Sequence, residues 1–454
     1  MKKITIIGGG ATGTLLTVNL IKHAGGSEPL EINLIERRER LGRSMAYSTV
    51  KDFHLLNVPA AKMGAFPNDV EHFHRWLTHK NYNYAPNDFA PRVIYGGYLR
   101  ELFIKTIKNK SANVTVNAFD DEATDVLIDN GQARVITRSG EILSSDKVIL
   151  AFGNFLPPHP KSQSNSFIEA EKYFQYPWRA DIAEKIAKTD DVFIIGTGLT
   201  YADVVMSLRH NRHEGKIFGF STRGLLPAVH ELGHIYPSFY DELKSQTKIT
   251  DLLKTARRHI ATAEADGSNW RAVIDSLRPQ TPDIWRNLPE PEKRYFTQHL
   301  SRYWNVARHR IPPECGAILD EMQEKNQLHI MKGRLRNIEA NEAGKLEITF
   351  FAEGVETHLP ADAVINCIGS QSNFNLIDSP LVKNLIAKGL IKTDSLKMGI
   401  DAVPDGRTID INGAVSGKLL TVGTALKDVL WESTAMPEIR AQANKLALSL
   451  LNGG

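Results

Sequence analysis

Two distant stretches of the chain repeat one hydrophobic pattern: a short run of β-branched residues, a glycine-rich turn, then helical periodicity. The first run is Ile4-Thr5-Ile6-Ile7, followed by Gly8-Gly9-Gly10-Ala11-Thr12-Gly13. The second is Val192-Phe193-Ile194-Ile195, followed by Gly196-Thr197-Gly198-Leu199-Thr200-Tyr201-Ala202. Continuous apolar runs of this length, closed by glycine, predict buried strands of a parallel sheet. After the first turn the spacing of Leu15, Leu16, Val18 and Leu20 predicts a helix over Ala11 to His23. The next strand, Glu31 to Ile35, ends at Glu36. After the second turn the corresponding strand, Lys216 to Phe220, ends at Ser221-Thr222-Arg223-Gly224. A strand that enters such a turn and opens a helix aims backbone N–H groups and a helix dipole at a pyrophosphate. Two of them in one chain suggest an electron route between two dinucleotides.

The pattern changes character elsewhere. Leu41 to Pro91 is polar, aromatic and loop-rich, and a segment of that kind in a compact protein is usually functional. Gly97 to Lys108 is predicted helical. Val114-Thr115-Val116 starts a set of strands with a hairpin turn at Asp129-Asn130-Gly131, and Lys147 to Ala151 is a further apolar strand before Phe152-Gly153-Asn154. From Tyr240 to Gln327 strand signals give way to helical ones, with Trp270, Trp285 and Trp304 spread through the stretch. This predicts a helical insertion. Strands resume at Leu328, Leu346, Ala363 and Leu419, and a last helix runs from Pro437.

Composition narrows the picture. The chain has 454 residues, room for two or three domains, and is 42% hydrophobic and 24% charged. A net charge of +3 is too small to argue for nucleic acid or an anionic membrane. Cys315 and Cys367 are the two cysteines, and neither belongs to a Cys-x-x-Cys pair, so no metal site is expected. Cys367 lies in an apolar run and reads as a small buried hydrophobe. The start, Met1-Lys2-Lys3, reads as the first strand rather than a signal peptide, and no apolar segment reaches bilayer length. A cytoplasmic location is expected.

Glu36 stands about twenty residues past the last glycine of the first turn, where a carboxylate accepts bonds from ribose hydroxyls. The alternative is a solvated charge opening a loop, as with Arg37, Arg38, Glu39 and Arg40. At the second site no acid stands at the ribose position. Arg223 does, and a guanidinium pairs well with a 2′-phosphate, so NADPH is expected over NADH; the alternative is that Arg223 caps the strand or binds a nearby carboxylate. His230 and His234 are four apart, a metal-capable spacing on a helix, but Gly233 intervenes and no third ligand stands out; a place near a nicotinamide is the other reading. Arg308-His309-Arg310 is a basic triplet on a predicted helix. It is either a solvated or phosphate-facing patch or an anchor for an anion or substrate. His230, His234, Arg308 and His309 are the candidate catalytic residues.

The chain resembles the two-dinucleotide-binding-domain flavoproteins, and more closely a bacterial family described as FAD/NAD(P)-binding proteins, distantly similar to flavin-containing and N-hydroxylating monooxygenases. The matching pieces are His54-Leu55-Leu56-Asn57-Val58-Pro59, Pro91-Arg92 with Tyr95-Gly96, Ala151 to Asn154, Arg223 to Pro227, Arg308 to Arg310, and Trp431 to Glu438. The resemblance implies that Gly8, Gly10, Ala11, Thr12, Gly13 and Glu36, with Arg37, Arg43 and Asn57, hold FAD. It places Gly153 where the chain leaves the FAD domain, and Gly423, Trp431 and Glu432 in a late segment near the flavin. Gly423 could instead simply end a buried strand. Gly196, Gly198, Thr200, Ser221 and Arg223 would hold NADPH. The first helix and its following loop carry no cysteine, unlike the disulfide reductases, which removes dithiol chemistry.

The expectation is an α/β fold with two Rossmann-like domains: FAD-binding over 1–160 plus 360–454, and NAD(P)H-binding over 161–359 with the helical insertion at about 240–327. The insertion is expected either to cover the flavin–nicotinamide cleft or to serve as a dimer interface or packed bundle. The expected activity is FAD-dependent, NADPH-using oxidation of a small molecule, by monooxygenation of nitrogen or sulfur. Two alternatives stay open: an NAD(P)H-dependent reductase of a quinone or protein acceptor, and a non-catalytic nucleotide-binding redox sensor. No nucleic-acid or membrane partner is expected, and a homo-oligomer is left open.

Overall fold

The computed structural model describes residues 1–25, 28–37, 41–43, 45–129, 131–179, 181–342 and 344–452. Arg38, Glu39 and Arg40, and Asn130 of the expected hairpin turn, lie outside them. The run Ile4 to Ile7 belongs to a strand, Lys2–Ile7, at the centre of a six-stranded sheet. Its order is Arg407–Ile409, Val415–Thr421, Lys147–Leu150, Lys2–Ile7, Leu30–Ile35 and Val114–Phe119, and all pairings but the first are parallel. The helix Ala11–His23 covers one face with Leu15, Leu16 and Leu20 fully buried, and it packs against Met436–Leu451 and Arg92–Lys108. The latter helix begins five residues before Gly97, directly after Pro91.

The second run, Val192–Ile195, is central in a five-stranded parallel sheet. The order is Leu328–Lys332, Ile217–Ser221, Val192–Ile195, Ala363–Asn366 and Tyr173–Phe174. Val192 to Ile194 are fully buried, as a strand sandwiched by two layers requires. Two three-stranded antiparallel sheets attach to the pair, Ala123–Asp129 with Gln132–Thr137 and Ile142–Ser145, and Arg334–Ala340 with Leu346–Ala352 and Val355–Ala361.

Both parallel sheets reverse their strand order beside the strand that carries the glycine turn. In the first, the chain goes from Lys2–Ile7 outward to Leu30–Ile35, then returns to Lys147–Leu150 on the other side; in the second, Ile217–Ser221 and Ala363–Asn366 flank Val192–Ile195 in the same way. Such switch points open a crevice at the carboxyl ends of the strands. The Ala151 N–H donates to Ile7 O at 2.9 Å, and the Cys367 N–H to Ile195 O at 2.7 Å, so the two crevices have the same closing bond.

Three expectations are corrected. The boundary at 360 fails because Ala363–Asn366 pairs with Val192–Ile195 in the second sheet. The insertion does not extend to 327: Pro313–Glu324 is the crossover helix that feeds Leu328–Lys332, and its Cys315, Leu319 and Met322 are buried in the core of the second sheet. The triplet Arg308-His309-Arg310 does not lie on a helix as a unit. Arg308 ends the helix Ser301–Arg308 and His309 is already outside helical geometry. The insertion proper is therefore a set of helices between Tyr240 and Arg308, among them Ile249–Ala265, Trp270–Ser276, Thr281–Asn287 and Ser301–Arg308.

Candidate functional site

At the first turn, Gly8 has φ +104°, and a Cβ there would lie 2.5 Å from the Ala151 carbonyl oxygen. A Cβ on Gly13 would lie 1.8 Å from the Gly8 oxygen. Only hydrogen fits at either position, which lets strand and helix approach at the bend. Gly10 is the N-cap of the helix and makes no side-chain cap, so the first N–H groups remain open to an anion. Glu36 reaches this turn: its carboxylate accepts from Gly9 N at 3.1 Å and Arg37 N at 2.9 Å. The Gly42 N–H binds Gly9 O at 3.0 Å, which brings Arg43, half-buried, to the same mouth. Arg37 itself turns to Glu122, 3.9 Å away.

The late segment converges here too. A Cβ on Gly423, φ +87°, would meet Thr12 Oγ1 at 3.0 Å, next to the buried Ala11. Thr424 Oγ1 donates to Phe152 O at 3.2 Å and contacts Gly153 O at 3.4 Å. Gly153 is exposed, with nothing within 4 Å of its Cβ position. Ala11 to Thr12, Phe152 to Gly153 and Gly423 to Thr424 thus frame one opening over the helix N-terminus. Thr424 had no marker in the sequence apart from its place after Gly423.

The second turn repeats the first. Gly196 has φ +99°, and a Cβ there would lie 2.3 Å from Cys367 O. Gly198 is an uncapped N-cap with open space at its Cβ position. A cavity of about 420 Å³ opens over it, lined by Gly198, Thr200, Ser221, Arg223, Arg302 and His309 among others. Ser221 Oγ is held inside the turn, accepting from Thr197 Oγ1 at 2.9 Å and Gly224 N at 3.0 Å. Arg223 and Arg302 are exposed at the cavity. Arg302, Asn305 and Val306 come from the insertion, on one stripe of the helix Ser301–Arg308, and His309 follows directly after it. The spacing of Arg302, Asn305 and Val306 is the sequence signal for this wall; Lys427, also on it, has none.

The expected catalytic residues scatter. His230 and His234 lie in irregular chain, so the helical metal spacing does not apply, and among the described residues no three His, Cys, Asp or Glu cluster for a metal. His230 Nε2–H donates to Asn57 O, 3.0 Å away, and the ring packs on Phe89. It ties the second half of the chain to the loop 41–91. Burial, helped by Arg310, depresses its pKa to about 4. His234 sits by Glu231 at 3.6 Å. His309 is on the nucleotide-side cavity, and burial with the Arg308 charge depresses it to about 3.

Arg308 is not a solvated patch. It is 7% exposed and lies 3.2 Å from Glu432 and 3.6 Å from Glu438. Arg278 binds Glu438 through Nε and Nη2, and Arg310, 2% exposed, pairs with Asp275. Trp304 Nε1 donates to Glu432 at 3.3 Å. Glu432 is therefore tied into a buried ion network that fastens the insertion to residues 432–438. Trp431, at φ +56°, packs on Trp285 with ring centroids 4.8 Å apart. Both residues face the insertion rather than the first glycine turn. The insertion is clamped, not loosely hinged.

Residues 5–155 match a family model described as FAD-NAD(P)-binding. No curated protein sequence matches the chain. Among solved structures it is similar to the FAD-bound cadaverine monooxygenase DfoA of Erwinia amylovora (TM-score 0.66, 14% identity, 100% of this chain and 94% of that one). It is similar to the ornithine N-hydroxylase of Kutzneria sp. 744 in its form with reduced FAD, NADP+ and L-ornithine (0.62, 13%, 99% of each). It is similar to the L-lysine 6-monooxygenase of Pseudomonas syringae (0.62, 16%, 99% of each). The chain has the fold of the two-dinucleotide-binding flavoproteins. At these identities the likeness establishes fold and not reaction. Among the described residues no helix is long and apolar enough to cross a membrane.

Proposed function

We propose that the chain is an FAD-dependent oxidoreductase that takes a hydride from NADPH and, with dioxygen, oxygenates a nitrogen or sulfur of a small molecule. The observation that carries this reading is the pair of uncapped helix N-termini, each behind a positive-φ glycine at a sheet switch point. A sensor or simple binder needs one such cradle. The full-length likeness to an ornithine N-hydroxylase and to monooxygenases of cadaverine and L-lysine supports the choice of nitrogen.

The first sheet serves FAD: Gly8 to Gly13 and the helix N-terminus take the pyrophosphate, and Glu36 the ribose hydroxyls. The second sheet serves NADPH: Gly196 to Thr200 take the pyrophosphate, and Arg223, with Arg302 beside it, the 2′-phosphate. Bound FAD would supply the hydride acceptor and the electron-pair donor to dioxygen. The helix Ser301–Arg308 would line the bound nucleotide with Arg302, Asn305 and Val306, and His309, neutral at physiological pH, would offer it a hydrogen bond rather than a charge. Cys315 and Cys367 are free and buried, and burial pushes the Cys315 thiol up to about 12 and Cys367 upward too; neither is a thiolate relay.

The test is the visible spectrum of the purified protein, followed by anaerobic NADPH and then labelled oxygen with a panel of amines and sulfides. Flavin absorbance, bleaching by NADPH and label in an amine or sulfide product are expected. Rapid reduction of quinones or a protein acceptor with no label incorporated replaces this reading with the reductase one.

A further inference from the structure

The insertion encloses a second cavity, of about 260 Å³, whose walls are almost all carbon. Leu252, Ile260, Ile284, Trp285, Phe296 and Trp431 are among the lining residues. Two indole N–H groups of its walls are satisfied elsewhere: Trp285 Nε1 donates to Asp428 O, and Trp304 Nε1 to Glu432. Two backbone irregularities border it. Phe296–Leu300 is a π-helical turn within an otherwise α-helical run, a feature often found at functional sites. Trp431 holds φ +56° and ψ −58°, a conformation that costs energy in a non-glycine residue and persists where the surroundings over-determine it.

The helix Ser301–Arg308 and its flanks have two working faces. Arg302, Asn305, Val306 and His309 line the nucleotide-side cavity, while Leu300, Tyr303, Trp304 and Ala307 line the apolar one. Lys427 and Trp431, one turn apart, divide in the same way. The apolar cavity thus adjoins the nucleotide cavity through a single helix wall. An apolar cavity of about 150 Å³ already admits a benzene-sized guest. The larger volume here has room for a longer hydrocarbon chain than such a guest fills. One cation marks the lining: Arg257, exposed, with no acid paired to it among the described residues.

We propose that this cavity is a binding site for a medium-chain aliphatic carboxylate, its hydrocarbon among the tryptophans and its carboxylate at Arg257. The site does not rest on the oxidoreductase reading. Burying methylenes supplies most of the affinity, and an exposed ion pair at Arg257 supplies the preference for an anion.

The experiment titrates the full-length protein with hexanoate, octanoate, octanol and octylamine, following tryptophan fluorescence and heat. Saturable binding is expected, tightening about fourfold per methylene from hexanoate to octanoate. Octanoate should exceed octylamine by roughly two- to fivefold, and Arg257→Gln should abolish that preference. Ala256→Phe and Ala307→Leu, which fill the cavity from two different helices, should each weaken octanoate at least tenfold. Binding that ignores chain length, equal affinity for octylamine and octanoate, or full octanoate affinity in both filled variants overturns the proposal. The chain-length series decides alone if either variant fails to fold.

Discussion

At the first glycine turn a Cβ on Gly8 would strike Ala151 O at 2.5 Å, and at the second a Cβ on Gly196 would strike Cys367 O at 2.3 Å. The two turns have φ values of +104° and +99° and the same closing hydrogen bond from the neighbouring strand. Their surroundings differ. Three residues past the N-cap, the first helix has Gly13, whereas the second has Tyr201, fully buried. The second unit regains the lost space on the strand instead: a Cβ on Gly219 would lie 2.7 Å from the Tyr201 ring. Close helix–sheet packing needs a missing side chain at the crossing, and either element can provide it. The strand ends differ as well, Glu36 against Ser221 and Arg223. The enclosures differ most: the first turn is framed by its own sheet and by Gly423, the second by an inserted helix held through buried ion pairs.

The largest expected effect breaks the symmetry of the two turns. Gly13→Ala must displace backbone at 1.8 Å, and should cost at least about 4 kcal/mol or abolish folding. Gly198→Ala meets open space, and should leave stability within about 1 kcal/mol while blocking flavin reduction by NADPH. Denaturant melts and anaerobic reduction rates measure both. A stable, flavin-replete Gly13→Ala protein would break the assignment of the first turn.

The clamp around the second turn comes next. Arg308→Met leaves Glu432 buried beside one fewer cation, and removing one partner of a buried pair costs about 3–5 kcal/mol. Hydrogen exchange should rise across 240–308 while Val192–Ile195 stays protected. Uniform exchange changes, or none, would mean that the network does not hold the insertion.

Arg223→Ala sharpens the difference in strand ends. Losing one charge-assisted bond to a 2′-phosphate costs about 1.5–3 kcal/mol, so the preference for NADPH over NADH should fall by roughly 10- to 150-fold. Equal use of both nucleotides by the unaltered protein refutes the role given to Arg223.

The smallest effect concerns pH. His230 has a folded pKa of about 4, below the ordinary value of about 6.5. Between those values the unfolded chain binds more protons, so this contribution to stability is full above about pH 6.5 and is lost as pH falls toward 4. At pH 5 the loss is about 2 kcal/mol for His230 alone. Urea midpoints of the wild type and His230→Gln at pH 7 and 5 measure it; an unchanged acid slope in the variant means that His230 is not the group responsible.

The sequence by itself determined both glycine turns, their strands and helices, and the place of Glu36 and Arg223, because each unit is local: period, turn chemistry and a fixed interval carry it. It also marked the start of the insertion at Tyr240, where helical periodicity replaces strand runs. What only the tertiary structure decided depends on residues far apart in the chain. Ala363 to Asn366 reads as a buried strand, but its sheet was chosen by pairing with Val192–Ile195. Pro313–Glu324 reads as one more helix, but its apolar face was claimed by the second core. Arg308 reads as either a solvated charge or an anchor for an anion, and is buried instead because Glu432 and Glu438, more than a hundred residues later, meet it. His230 and His234 share a helical interval without a helix, since irregular chain follows Arg223. Local rules fix conformation; partners for buried charge and apolar area are set only when distant segments pack.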